Sequence, residues 1–463
     1  MLSRTLIREL RDIVGPDGVI TDPVELLVYE ADGMSLRKSV PSCVVLPRSA
    51  EQVSSAAKLL YERGIPFVPR GAGTGLSGGA IALNRAVCIA LSRMNRILEI
   101  DLANRRALVE AGVANLRLSD AVKSASYHFA PDPSSQIACT IGGNVATNSG
   151  GPHTLKYGVT TNHVLGLEMV LPDGTVLWLG GNGEELAGYD LRGLVIGSEG
   201  TLGIVTKALV RLVRLPQSWR TMLAVFDNLD DASHAVTEII AAGIVPAALE
   251  MIDSLMIQAV EQASRFGLPL DAAAVLIIEL DGLEAGLDDE MNRVMELCKS
   301  RRAREIRLAR DAKERDQLWK VRKRSIGAIG RITVSYYTRD GTVPRTKLPQ
   351  VLRAVYSIAE RYGLRVGNVF HAGDGNLHPC ILFDERDEKQ RELVLRAGRE
   401  MLEACVEAGG TITGEHGVGL EKLELMPLQF TPHELSLMAK VKRAFDPKNL
   451  CNPGKVLPET VNA

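Results

Sequence analysis

"PRGAGTGLSGGA", residues 69–80, decides which of two folds carries the first half of the chain. Gly73, Gly75 and Gly78 satisfy G-x-G-x-x-G. Glu99 or Asp101 stands about where a dinucleotide-binding βαβ unit keeps its ribose ligand, ~20 residues on. Such a unit also needs a helix after the glycines, and the whole crossover takes roughly 10–12 residues or more. The next strand-like run, "AVCIAL", already begins at residue 86. There is no room for the helix, and the doubly wound reading is rejected. What remains is a loop with five glycines in the nine residues 71–79. Backbone N–H groups in so bare a loop can cradle an anion, and Arg70 can add a cation. A sharp strand connection would need fewer glycines, which favours the phosphate cradle.

Two further segments share this character: "PDPSSQIACTIGGNVATNSGGPHTLKYGVT" (131–160) and "GSEGTLGIVT" (197–206). Three loops that let a ligand approach the backbone, set among β-branched strands, suit a dinucleotide bound without a Rossmann helix. "SAEQVSSAAKLLYERG" reads as a helix with Ser49 as N-cap, Glu51 in its first turn and Gly64 as its stop. "PDGT" (172–175) reads as a hairpin turn. After "RLPQSW" the pattern changes. Strands are expected at 221–226, 247–252, 273–280 and 304–309, with helices at 230–242, 286–300, 312–328, 347–362 and 386–408. A last helix is expected at 432–445. This order predicts an α+β chain: a loop-rich binding domain (1–215), a substrate domain whose antiparallel sheet carries helices on one face (216–425), and a short helical C-terminal segment (426–463).

"HAGDGNLH", residues 371–378, sits between two strand-like runs, "RVGNVF" and "PCILF". A two-residue type I′ turn on Asp374-Gly375 would set His371 directly opposite His378 on one face, with Cβ atoms ~5 Å apart. Two imidazoles held that way can ligate one ion. They can equally be two histidines that a loop happens to carry, and a metal reading needs a third partner.

At 463 residues the chain exceeds one ordinary core. Its 46% apolar and 24% charged content is that of a globular protein. A net charge of −2 with no long basic run argues against a nucleic-acid surface. No apolar stretch reaches the ~18 residues of a transmembrane helix. The start, "MLSRTLIRELRDIVG", is an amphipathic helix without the apolar core of a secretory signal. The seven cysteines are scattered, odd in number and form no C-x-x-C. They suggest neither disulfides nor an iron–sulfur cluster, and point to a reducing, cytoplasmic setting.

"RGAGTGLSGG", "PDPSSQIACTIGGNVATNSGG", "GSEGTLGIVT", "FHAGDGNLHP", "TGEHGVGLEK" and "FDPKNLCNPGK" follow one another in the chain. Together they resemble the FAD-linked 2-hydroxy-acid dehydrogenases of the vanillyl-alcohol oxidase (PCMH-type) superfamily, which includes glycolate oxidase flavin subunits and D-lactate and D-2-hydroxyglutarate dehydrogenases. The resemblance implies a PCMH-type FAD-binding domain, then an α+β, ferredoxin-like substrate or cap domain carrying a metal site, then a C-terminal segment returning to the FAD domain. It implies that Arg70, Gly71, Ala72, Gly73, Thr74, Gly75, Leu76, Ser77 and Gly78 hold the FAD pyrophosphate. Pro131, Thr140, Gly142, Gly143, Ala146, Thr147, Asn148 and Gly150 would pack on the rest of the cofactor. So would Glu199, Gly203, Ile204 and Val205, with Asn452 near the flavin ring. Residues 69–80 hold no His or Cys, so FAD is expected to be non-covalent.

The resemblance also supplies the third partner: His371, His378 and Glu415 would hold a divalent metal, with His416 beside them as base. Imidazole and carboxylate suit zinc, and three protein ligands leave a position for substrate. Arg322 of "WKVRKRS" matches a family arginine, and a guanidinium can bind a substrate carboxylate through two parallel bonds. Tyr337 of "SYYTRDG" would be a further substrate contact. The implied reaction is oxidation of a small D-2-hydroxy acid, glycolate or D-lactate, to its 2-oxo acid. The metal would assist proton abstraction by His416 as hydride leaves for flavin N5. Cys380 stands where some 2-hydroxyglutarate-type relatives have asparagine, which fits a smaller substrate. Electrons would pass to a second flavin-type subunit and an iron–sulfur subunit, or to a quinone, with a peripheral place at the inner membrane face. The competing readings are a D-2-hydroxyglutarate-type dehydrogenase, a non-redox FAD enzyme like alkylglycerone-phosphate synthase, and a flavin-binding subunit that serves only assembly.

Overall fold

The glycine loop joins two parallel strands, Phe67–Arg70 and Val87–Ala90, with Val68 beside Cys88. No α-helix lies between them; one 3₁₀ turn, Leu83–Arg85, is the only helical piece of the crossover. The chain returns to a parallel partner by a bare loop, which a βαβ unit never does. In the computed structural model, which describes residues 2–34, 36–181 and 188–458, two units form. One comprises Met1–Gly150, Val159–Leu215 and Glu415–Ala463; the other comprises Gly151–Gly158 and Pro216–Gly414.

In the first unit the parallel pair belongs to a four-stranded sheet in the order Val19–Ile20, Val44–Val45, Val87–Ala90, Phe67–Arg70. Helices Arg4–Val14 and Ala50–Glu62 bury Leu6, Leu10, Val53, Ala57 and Leu60 against it. Ser49 caps the second helix by accepting from Gln52 N. A five-stranded antiparallel sheet follows, ordered Ile97–Asp101, Arg106–Glu110, Ile204–Arg211, Val164–Val170, Val176–Gly180. The segment 131–160 is not all loop: Thr140 accepts from Gly143 N and starts a short helix, Ile141–Thr147. Gly142 lets the helix lie against neighbouring backbone, since a Cβ there would meet Ala111 O at 3.0 Å, which a propensity reading does not anticipate.

The second unit opens with strand, helix, strand, strand, helix, strand: Ser218–Phe226, Leu229–Ala241, Ala248–Asp253, Ala274–Gly282, Leu287–Ser300 and Glu305–Leu308. The spatial order of those strands is fourth, first, third, second, all antiparallel, which is ferredoxin-like. A helix that the sequence pattern did not suggest, Ser254–Ser264, is inserted after the second strand. Helices were expected on one face only, yet both faces are covered. Leu223, Val225, Val275 and Ile277 pack with Met256, Val260 and Val321, while the alternate residues Met222, Ala224, Leu276 and Ile278 are equally buried. Continuous apolar strands, rather than alternating ones, are the signature of such double burial. Arg365–His371 extends the sheet beside Ala248–Asp253, and Pro379–Phe383 pairs with it in turn.

Candidate functional site

The hairpin at 371–378 forms in a different register from the one expected. His371 pairs with Asn376, and Asn368 with Pro379. The turn therefore contains four residues, Ala372 to Gly375, in place of two. Gly375 takes φ +78°, but Asp374 does not adopt the positive φ that a type I′ turn demands of both central residues. The error was two residues, and side chains alternate faces with period two, so both histidines still share a face. They are diagonal neighbours, with ring centroids 5.1 Å apart and planes at 84°. Both are buried.

Two buried carboxylates that the sequence reading passed over stand behind these rings. Glu250, on Ala248–Asp253, lies 2.7 Å from His371 Nδ1 and also accepts from Arg322 Nε. Burial pushes the Glu250 carboxyl up, but His371 and Arg322 outweigh that and hold it below its usual range. An ionised carboxylate can only accept, so Nδ1 carries a proton, and in the neutral imidazole Nε2 then keeps its lone pair. Asp340 Oδ1 lies 3.8 Å from His378 Nε2. Asp340 accepts from Gly414 N at 2.9 Å through Oδ1 and from Thr413 Oγ1 at 2.6 Å through Oδ2. Gly414 is pressed against the hairpin: a Cβ there would meet Asn376 Cγ at 2.4 Å. Only glycine passes so close. Glu250 had a readable signal, a charge inside the apolar run "ALEMID", because a buried carboxylate must be paired. Asp340 had none, since "TRDG" reads as a turn.

The remaining residues expected at the substrate are also placed. Arg322, 3% exposed, is committed through Nε to Glu250. The Tyr337 hydroxyl accepts from Arg339, whose guanidinium lies 4.9 Å from the tyrosine ring centroid. Glu415 and His416 begin the stretch that belongs to the first unit.

Every residue assigned to the cofactor lies in that first unit, and its three loops are knitted together. A Cβ on Gly71 would sit 2.5 Å from Thr140 Oγ1. Gly197 and Glu199 donate from their backbones to Val145 and Ala146 carbonyls at 2.9 and 2.7 Å. Asn452 Nδ2 donates to the carbonyls of Gly79 and Glu199. Lys455 Nζ donates to Ile81 O at 2.7 Å and lies 3.0 Å from Asn452 Oδ1; burial pulls this ammonium down to about 8. Arg70 donates to the carbonyls of Ala31 and Ala80, so it shapes the loop from within. Gly33 N donates to Gly75 O at 2.7 Å and Asp32 Oδ2 accepts from Ala80 N, so residues 32–33 pack on the first glycine loop, a contact no motif announced. Glu199 aims its carboxylate at backbone: it accepts from Val418 N at 2.7 Å and Gly419 N at 2.9 Å. Burial pushes this carboxyl up to about 7, against the pull of those two amides. All seven cysteines are buried thiols. Among the described residues no helix is long and apolar enough to cross a membrane.

Comparison with known proteins gives this architecture relatives. Residues 215–456 match the C-terminal domain of FAD linked oxidases, and residues 41–180 match an FAD binding domain. The glycolate oxidase subunit GlcD of Escherichia coli K12 is 45% identical over 454 residues, covering 98% of this chain and 91% of the relative. A D-lactate dehydrogenase of Archaeoglobus fulgidus is 35% identical, covering 89% of this chain and 91% of its own. In fold the chain is similar to p-cresol methylhydroxylase, with a TM-score of 0.80 at 18% identity over 98% of this chain and 97% of that one. The bare glycine loop between parallel strands, the interlocked second and third loops and these matches agree: the chain belongs to the FAD-linked oxidase family and is an FAD-dependent oxidoreductase.

Proposed function

We propose that the chain oxidises a small D-2-hydroxy acid, glycolate or D-lactate, to the corresponding 2-oxo acid. The observation that carries this reading is the histidine pair with its carboxylate support. His371 and His378 share a buried face, and Glu250 fixes the His371 tautomer so that Nε2 can ligate. Gly414 is held by Asp340 against the hairpin, and Glu415, the next residue in the chain, is the third ligand this reading assigns. Two imidazoles and a carboxylate fit a divalent ion such as zinc. When bound, FAD supplies the two-electron acceptor, and the ion supplies a Lewis acid that acidifies the substrate hydroxyl. His416, beside the ligand Glu415, takes the hydroxyl proton. Arg322 and Tyr337 offer a cation and a phenol to the substrate carboxylate. Arg322 also neutralises Glu250, which keeps the ligand His371 oriented.

The name of the Escherichia coli relative, an oxidase subunit, supports a chain that works in a complex. A second flavin-type subunit with an iron–sulfur subunit, or a quinone, would then take the electrons. In this reading residues 1–215 would hold FAD and the sheet and hairpin from 216 onward would hold substrate, with the return to the first unit beginning at Glu415 rather than at 426. The test is anaerobic bleaching of bound flavin across D- and L-2-hydroxy acids, with and without chelator. D-acids or glycolate should bleach the flavin, and chelation should slow this. Bleaching by NADH, and by none of the acids, would sink the proposal.

A further inference from the structure

Glu415 and His416 sit in a short stretch whose backbone is held on both sides by carboxylates. On the N-terminal side Asp340 holds Thr413 and Gly414. On the C-terminal side both oxygens of Glu199 accept amides, Oε1 from Val418 and Oε2 from Gly419. Gly417 passes so near this carboxylate that a Cβ would meet Glu199 Oε1 at 2.7 Å. The Ser77 hydroxyl donates to the His416 carbonyl at 2.9 Å, and Ser77 O accepts from Leu420 N at 2.8 Å. Glu199 itself is over-determined. It is 7% exposed, its φ is +54°, its N–H is held by Ala146 and its carbonyl by Asn452. A non-glycine residue in the left-handed region persists only where its surroundings demand it, and such residues cluster at functional sites.

We propose that Glu199 is the positioning residue for the general base: its carboxylate, by holding the Val418 and Gly419 amides, sets the turn from which His416 reaches the substrate. The inference rests on the reading of His416 as that base. It gives Glu199 a task distinct from touching cofactor. Because Glu199 and Ser77 belong to the third and first glycine segments, the loops that wrap FAD also aim the base. A misplacement of about 1 Å in a reacting group can cost on the order of a hundredfold in rate.

The test compares FAD-loaded wild type, Glu199→Gln, His416→Gln and the double variant, by flavin content, KM and the anaerobic rate of flavin reduction by glycolate or D-lactate. Gln is isosteric, but its NH₂ must face one of the two amides. Glu199→Gln should keep its FAD and a KM within about twofold while flavin reduction falls roughly tenfold to a hundredfold. In the His416→Gln background the same change should cost less than about twofold, because it acts through that side chain. Where Glu199→Gln does not fold, Glu199→Asp serves, keeping the charge but not the reach to both amides. A wild-type rate in the Glu199 variant overturns the proposal. So does loss of FAD, or an effect that multiplies fully with His416→Gln. A wild-type rate in His416→Gln itself overturns the base reading, and this proposal with it. A slow His416→Gln beside an unimpaired Glu199→Gln removes only the positioning role.

Discussion

Replacing Glu250 by Gln keeps shape and removes one charge. Glu250 is fully buried and serves two donors, His371 Nδ1 and Arg322 Nε. The amide oxygen of Gln can serve one of them, while its NH₂ faces the other, and Arg322 keeps a positive charge in a site where it is 3% exposed. Breaking one side of a buried ion pair costs about 3–5 kcal/mol. The surviving hydrogen bond puts the expectation near the lower end, about 3 kcal/mol. Loss of the carboxylate behind a ligating histidine should also weaken metal binding by roughly 10–100-fold. The folded-state pKa of Glu250 lies below the ordinary carboxylate value, since His371 and Arg322 outweigh burial. Its contribution is therefore complete above the unfolded carboxylate pKa and is lost as pH falls through the lowered one. Urea unfolding of the FAD-loaded protein at pH 7, read with a chelator titration, measures both effects. In acid, where wild type is itself protonated, the two midpoints should converge. Identical midpoints at pH 7 for wild type and Glu250→Gln, in urea and in chelator, would refute the pairing argument.

Further expectations concern other residues. Glu279 is held at about 2: burial pushes it up, but hydrogen bonds from His153, Arg315 and Thr221 and the Arg315 charge more than compensate. Against an ordinary carboxylate this is on the order of 3 kcal/mol, present above about pH 4.5 and lost as pH falls toward 2. Glu279→Gln should therefore destabilise at pH 7 and less than about half as much at pH 3 in parallel urea titrations; equal losses at both values would remove the ionic account. Gly414→Ala forces a Cβ to 2.4 Å from Asn376 Cγ. It should displace Glu415, leave FAD content unchanged and lower metal retention, which elemental analysis reads; unaltered metal content would contradict the placement. His416→Ala should slow flavin bleaching by about a hundredfold or more, the scale of general-base catalysis. Chelation should slow wild type comparably, and a chelator-insensitive rate would dismiss the ion.

The candidate site could be proposed from sequence because the patterns behind it are local. Glycines that leave no space for a helix, histidines two faces-in-register apart and an acid beside a histidine are patterns of neighbours. The hairpin shows how far such reading reaches. Its turn length was misjudged, yet the histidines stayed on one face because a two-residue slip preserves the alternation. Residues whose work lies in long-range pairing were harder to read. Asp340 meets its partners 73 and 74 positions away, and Glu199 meets Val418 219 positions away. A lone acid in a turn announces neither.

By itself the sequence determined the absence of a Rossmann helix, the α+β order and the glycine-rich loops suited to FAD, since these follow from spacing along the chain. Only the tertiary structure decided which charges face one another. It put Arg322 on Glu250, Arg70 on the carbonyls of its own loop and its neighbour, and Glu199 on the turn after His416. The reason is physical: a buried charge must find a partner, and which partner is within reach depends on packing that brings distant strands together.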